Sequence, residues 1–337
     1  MNSTSPKLKR NINKLLLCGG GFKFYYLYGC IKYLHEINIL QNIKEYIGIS
    51  AGAIICLLLS LGYEPKELNK FIIEFKFYKL IDHHIDNLLE KRGLDDGEML
   101  KITIQQFLIK KKYNENITFK ELFEKTNIKI VFIASNITKN VLEVIDYQSY
   151  PNMKIWEGIL ITTALPILFE PILYNDNYLI DGGVFDNYPI DLFIDDLDKE
   201  QNILGINLAA HVKNIDFNLD FFNYITKLFL ISHHWKNISK INKYRKFTIE
   251  IKTYDTSELL NTEISTEEKE RRISHGYDSG QNHFEKYEIA EESEESEESE
   301  KSEESEKSEK SEKSEKNNNV ISNEEILKRV MSIDYII

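Results

Sequence analysis

A chain of 337 residues is long enough to bury a sizeable core as one large domain carrying a tail. Its net charge of −12 is uneven: thirteen Glu against five Lys in residues 291–316 supply eight of those twelve charges, and the remainder lacks the basic footprint of a nucleic-acid binder. Cys18, Cys30 and Cys56, odd in number and without metal-ligand spacing, exclude a paired disulfide framework and fit a reducing compartment.

Lys7, Lys9, Arg10 and Lys14 ahead of Leu15-Leu16-Leu17-Cys18 imitate a signal peptide, but the apolar run gives way after four residues to Gly19-Gly20-Gly21, below the ~7 to 15 that a signal core needs. Lys14 to Cys18 is therefore read as a buried strand, and Phe24 to Ile37 as a helix. Glu45 to Ile49 reads as the next strand, and Ala51 to Leu61 as a helix apolar on nearly every side, hence buried. The run Ala53 to Leu61 falls below the ~18 residues of a membrane span, so the expectation is a cytoplasmic protein that meets membranes only peripherally.

Further along, Lys129 to Ser135 and Val141 to Tyr147 are β-rich runs joined as a hairpin through Asn136 to Asn140. Met153 to Leu165 is helical up to Pro166, Tyr178 to Ile180 is a short strand ending at Asp181, and Ile203 to Leu208 is another core strand. Phe221 to Trp235 and Glu267 to Tyr287 read as helices. Strand, helix, strand, helix order predicts an α/β fold of three αβα layers around a mostly parallel sheet. The catalytic domain is expected over 15–210, with a helical and strand extension over 211–288 packed on it. Residues 289–318 are expected to be disordered: from Glu291 to Lys316 only Glu, Ser and Lys occur, with Ser at every third position from Ser293 to Ser314 and no apolar group to offset ordering. That stretch reads as a solvated spacer, with a protein partner as the alternative. In 319–337, Ser322 and Glu325 form a capping-box pair ahead of Ile326, Leu327, Val330 and Met331, a short helix that packs back on the domain or binds a partner.

Three motifs carry chemistry. Gly48-Ile49-Ser50-Ala51-Gly52 is a G-x-S-x-G where a predicted strand meets a predicted helix, which would hold Ser50 clear of the backbone at the positive end of the helix; a serine N-cap in a tight turn is the plainer reading. Gly19-Gly20-Gly21-Phe22-Lys23 exposes backbone amides that suit a phosphate or a tetrahedral oxyanion. A nucleotide-binding reading of that loop is weakened because Phe24 stands where the last glycine of G-x-G-x-x-G belongs. Asp181-Gly182-Gly183, with Asn187 and Pro189 behind it, lets a carboxylate approach another element closely; an Asp-Gly turn is the competing explanation.

Taken together over residues 15 to 210, these motifs resemble the patatin-like phospholipase family. The resemblance implies an oxyanion hole from Gly19, Gly20, Gly21 and Lys23, a nucleophile at Ser50 and a Ser-Asp dyad completed by Asp181, with Gly48, Gly52, Gly182 and Gly183 in support. The segment Thr163-Ala164-Leu165-Pro166-Ile167-Leu168-Phe169-Glu170-Pro171 is similar to the family's S-A-x-P-x-x-F-x-P, and Gly93-Leu94-Asp95-Asp96-Gly97 to its G-L-x-D-G helix start. Phe24, Thr163 and Asn136 depart from the residues usual there. The implied function is a lipid acyl hydrolase that needs no cofactor or metal. A lipid ester would set its oxygen on the Gly20 and Gly21 amides while Ser50 attacks, and Asp181 would move the protons.

Rival readings are a Ser-His-Asp triad through His211, a catalytically silent lipid-binding scaffold, a nucleotide binder and a hydrolase of soluble esters. His83-His84 and His233-His234 diverge on a helix and read as surface pairs; Asp95 and Asp96 lack the alternating spacing of a calcium loop, and Asp96 reads as a helix cap. Phe71, Phe75, Phe77 and Tyr78 read as core, with an interfacial lid as the alternative.

Overall fold

The structure is a computed structural model that describes residues 10–74, 88, 90–194, 202–210, 224, 239–253 and 264–308, with side chains in the last helix as far as 287. Contacts divide the chain into Met1–Glu285 and Lys286–Ile337, and the architecture below is that of the first unit.

Strand β1 (Lys14–Leu17) lies at the middle of an eight-stranded mixed sheet. Leu15, Leu16 and Leu17 have no exposed surface, because a strand with parallel neighbours on both edges and helices on both faces has no polar side to offer. After β1 the chain forms α1 (Phe24–Glu36), β2 (Glu45–Gly48), α2 (Ala51–Ser60) and α3 (Pro65–Glu74). Next come β3 (Gly93–Asp95), α4 (Glu98–Lys110), α5 (Phe119–Thr126) and the hairpin β4 (Lys129–Asn136) with β5 (Val141–Ile145). Helix α6 (Ile155–Thr163) leads to the short strands β6 (Ile167–Phe169), β7 (Ile172–Tyr174) and β8 (Asn177–Asp181). Strands β9 (Ile203–Ala210) and β10 (Thr248–Thr253) and helix α7 (Thr266–Ser308) follow.

The sheet order is β10-β9-β1-β2-β4-β8-β7, with β5 also paired to β4. The five strands from β10 to β4 are parallel, while β5 and β8 pair antiparallel with β4, and β7 pairs antiparallel with β8. Strands β3 and β6 make a separate parallel pair. From β1 the chain moves outward first to β2 and β4 and later to β9 and β10, so β1 sits at a switch point. The crevice beyond the carboxyl ends of such strands is where an α/β sheet binds its ligand.

Edge strand β10 falls in the expected extension, which thus completes the central sheet. The same extension supplies α7, whose small residues let it lie against α1. A Cβ on Gly29 would stand 1.9 Å from the Ile273 carbonyl oxygen, and one on Gly276 would stand 1.9 Å from that of Tyr26. Beyond the expected end at Tyr287, the backbone of α7 is helical as far as Ser308, in a Glu/Ser/Lys repeat that has no apolar side chain to pack. Glu and Lys are good helix formers, and a helix already nucleated propagates at little cost. Residues 309–318, the expected helix in 319–337, and the expected helix at 221–235 apart from Tyr224 lie outside the described residues, as do Phe75, Phe77, Tyr78 and the histidines 83, 84, 211, 233 and 234.

Replacing Gly29 with Ala should force α1 and α7 apart and cost about 1–3 kcal/mol, the usual penalty of overpacking. Urea unfolding should show a lower midpoint at unchanged slope, and an unchanged midpoint would show that the two helices slide apart freely.

Candidate active site

Between the end of β2 at Gly48 and the start of α2 at Ala51 the chain must turn from sheet to helix through two residues. Ser50 takes the strain, with φ 52° and ψ −126°, a conformation that costs a non-glycine residue about 1–3 kcal/mol. The turn nests because its flanking positions carry no side chain: a Cβ on Gly48 would lie 2.3 Å from Ala53 Cα, and one on Gly52 would lie 2.5 Å from the carbonyl oxygens of Leu17 and Cys18. The Ser50 amide donates to Thr162 Oγ1 at 3.2 Å, and that hydroxyl donates to the Ile133 carbonyl at 2.6 Å. Helix α6 and strand β4 therefore hold the strained turn from behind. The positive end of α2 starts one residue after Ser50.

Sheet register brings Asp181 to the same level. Gly48 pairs with Phe132 of β4 and Asp181 pairs with Ala134, while β5 occupies the opposite edge of β4 along Phe132–Asn136, so β8 takes over the edge of β4 where β2 leaves off. Ser50 lies two residues past Gly48, and Asp181 pairs two residues further along that same edge of β4, so register sets the two side by side. The Asp181 carboxylate accepts a hydrogen bond from the Gly183 amide at 2.7 Å, and the Ser50 hydroxyl beside it also favours its charged form. Only 3% of Asp181 is exposed. Burial disfavours its charged form and, against the Ser50 hydroxyl and the Gly183 amide, pushes its pKa up from 3.8 to about 6.

The glycine loop follows β1 and faces the same crevice. Asn187 accepts from the Gly19 amide (3.1 Å) and donates to the Gly19 carbonyl (2.9 Å). The Gly19 amide is therefore spent on holding the loop. Lys23 is buried and donates to Thr253 Oγ1 at 3.2 Å, so it pins the loop to β10. Downstream of Asp181, Lys240 bridges Asp186 and Asp191, the latter at 2.8 Å, and clamps the loop that follows the aspartate. Cys18, the neighbouring thiol, is no rival nucleophile: burial pushes its pKa up to about 12.

Ser50 opens onto an apolar cavity of about 150 Å³, reached past Gly21, Phe22 and Phe24 and walled by α2, α3, α4 and the segment Thr163–Phe169. Phe24, in the place of a usual glycine, supplies part of that wall. Asp95 and Asp96 accept from the amides of Gly97 (2.6 Å) and Glu98 (3.0 Å) in the turn ahead of α4, whose N-cap is Gly97 and not the expected Asp96. Among the described residues no three His, Cys, Asp or Glu side chains gather as a metal site would require. Thr162 and the pairing role of Asn187 are invisible in sequence, since their partners lie 112 and 168 residues away.

The patatin-like phospholipase family model matches residues 15–194. The chain is 34% identical over 249 residues to a protein named probable lipid hydrolase 463L from Invertebrate iridescent virus 6, covering 71% of this chain and 79% of that one. It is 30% identical over 282 residues to protein R571 of Acanthamoeba polyphaga mimivirus, covering 80% and 93%. The fold is shared with VipD from Legionella pneumophila at a TM-score of 0.56 and 20% identity, over 84% of this chain and 72% of that one. A family match that runs from β1 through the Asp181 loop, together with a relative matched over most of its own length, identifies this chain as a member of the patatin-like phospholipase family.

Proposed function

We propose that this lipid-acting hydrolase cleaves carboxylic esters by a Ser50–Asp181 dyad. The observation that carries the reading is the register that sets a buried Asp181 beside Ser50 at the mouth of an apolar cavity. The ester carbonyl sits over Ser50 with its oxygen on the Gly20 and Gly21 amides. As Ser50 Oγ attacks, Asp181 takes its proton, and the positive end of α2 and the loop amides receive the negative charge. When the tetrahedral adduct collapses, Asp181 gives that proton to the departing alcohol and the acyl group stays on Ser50. Asp181 then takes a proton from water, whose oxygen attacks the acyl carbon, and returns it to Ser50 as the fatty acid leaves. An aspartate near its ordinary value is a poor base; one raised to about 6 is better matched to this work near neutral pH.

Lipid reaches the site at a membrane or micelle surface rather than across a span: among the described residues no helix is long and apolar enough to cross a membrane. Helix α4 supports a surface reading. Leu100, Ile104 and Phe107 on its inner face wall the cavity, while Met99, Ile102 and Ile109 stand on its outer face, each 40% exposed or more. Lys110 and Lys112 at its end suit anionic headgroups.

Fatty-acid release from mixed phospholipid and triacylglycerol micelles should fall at least about a thousandfold in Ser50→Ala and in Asp181→Asn. An active Asp181→Asn protein would instead reveal another base. Because Asp181 must be ionised to act, kcat/KM should fall as pH drops through about 6. The stability effect has the opposite sign. The folded value lies above the unfolded one, so stability is lost as pH rises from about 4 to 6 and the cost persists above it, on the order of 3 kcal/mol. Asp181→Asn should therefore raise Tm at pH 7.5, and the gain should vanish near pH 4. Substituting Met99, Ile102 and Ile109 with Ser should lower the ratio of micellar to monomeric ester hydrolysis about fivefold or more. An unchanged ratio would move the lipid contact elsewhere.

A further inference from the structure

We infer that the cavity beside Ser50 is a blind acyl slot that selects medium-length chains, and that Ile54 and Phe107 set the length it accepts. This rests on the Ser50 acyl-hydrolase reading and names the substrate class for it.

The slot runs along α2. Ala51, Ile54, Ile55 and Leu58 all line it, and their spacing of three and four residues puts them on one helix face, stacked in the direction away from the nucleophile. From Ala51 to Leu58 that face descends about 10 Å at the helical rise, enough for an extended acyl chain of roughly eight carbons. The volume agrees: an apolar cavity of about 150 Å³ takes a group the size of benzene, six carbons.

The two ends differ in exposure. Ser50, Phe22, Leu165, Leu168 and Phe169 at the mouth are half-buried. At the deep end Leu58, Ile72, Ile104 and Phe107 are all buried, so the slot stops inside the protein. Phe107 makes the stop. Its ring is braced edge-on by Phe71 at 4.8 Å and by Tyr63 at 5.6 Å, and the Tyr63 hydroxyl donates to the Phe107 backbone carbonyl at 3.0 Å. A braced aromatic cannot swing aside as a free leucine would, so a chain longer than the slot must leave carbons outside it. Ile54 sits one turn below the nucleophile and is half-buried, so a larger side chain there fills the open slot instead of crowding packed core.

The test is the acyl-length profile of kcat/KM on nitrophenyl esters from acetate to palmitate at fixed detergent, for the wild type, Ile54→Phe, Phe107→Leu and Ser50→Ala. The wild-type profile should peak near octanoate. Ile54→Phe should lower the octanoate-to-butyrate ratio about tenfold, the worth of a methylene or more in an apolar pocket, and Phe107→Leu should move the peak toward laurate. Two variants that change the profile in opposite directions cannot both be explained by loss of folding. A Ser50-dependent profile that is flat, that climbs steadily to palmitate, or whose peak stays put in both variants overturns the slot and leaves the hydrolase reading standing. Wild-type rates no higher than those of Ser50→Ala on every ester overturn the hydrolase reading, and the slot with it.

Discussion

The strained turn at Ser50 is the constraint around which the rest of the site is arranged. A serine at φ 52° is unstable on its own by about 1–3 kcal/mol, so the turn exists only because its surroundings leave no alternative. β1 and α2 press together across Gly52, β2 and α2 across Gly48, and Thr162 takes the Ser50 amide while anchored to β4. The same three contacts fix where α2 points. Because α2 is also the floor of the cavity, the geometry that aims the hydroxyl also sets the line along which an acyl chain would lie.

Asp181 shows a second, related economy. A carboxylate with 3% of its surface exposed is held by the Gly183 amide and faced by the Ser50 hydroxyl where water would offer more, and the group answers with a raised pKa. What would be a defect in a structural aspartate is useful in a base. The loops around it are correspondingly tied down by polar contacts to remote parts of the chain. Asn187 locks the glycine loop by both edges of one amide, and Lys240 spans two aspartates behind the catalytic one. Three separate chain segments are thereby fixed with respect to each other, which a preorganised oxyanion site requires.

The sheet and the candidate site residues were read from the sequence for a common reason: each rests on a local pattern. Leu15-Leu16-Leu17 reads as a doubly covered strand, the 129–145 hairpin as alternating β-rich runs, and Gly48 to Gly52 and Asp181 to Gly183 as turns that only glycine permits. The cavity walls were not legible as such. Helix α4 is apolar on both faces, so its periodicity gives no clear inside, and β10 is a short run whose place in the sheet depends on β9, some forty residues earlier. The pairing of Asn187 with Gly19 depends on the assembled fold. The acidic repeat marks the opposite limit: with no apolar group, composition alone reads it as a tail with nothing to bury.

Position of the pocket follows from topology more than from any one side chain. The crevice at the carboxyl ends of β1 and β2 is open because the chain leaves β1 in two directions, and the glycine loop and the elbow fill its rim. Its depth comes from elements inserted between β2 and β4, namely α3, β3 and α4, closed by the half-buried stretch from Leu165 to Phe169 that pairs with β3. The catalytic rim is built from motifs that tolerate little change, whereas α3 and α4 contribute apolar bulk through ordinary packing. Residues such as Ile54, Phe71 and Phe107 touch no reacting atom, so their size is free to vary without disturbing the strain at Ser50 or the burial of Asp181. A fold arranged this way keeps one chemistry while the length of chain it grips is set by a few apolar side chains at a distance.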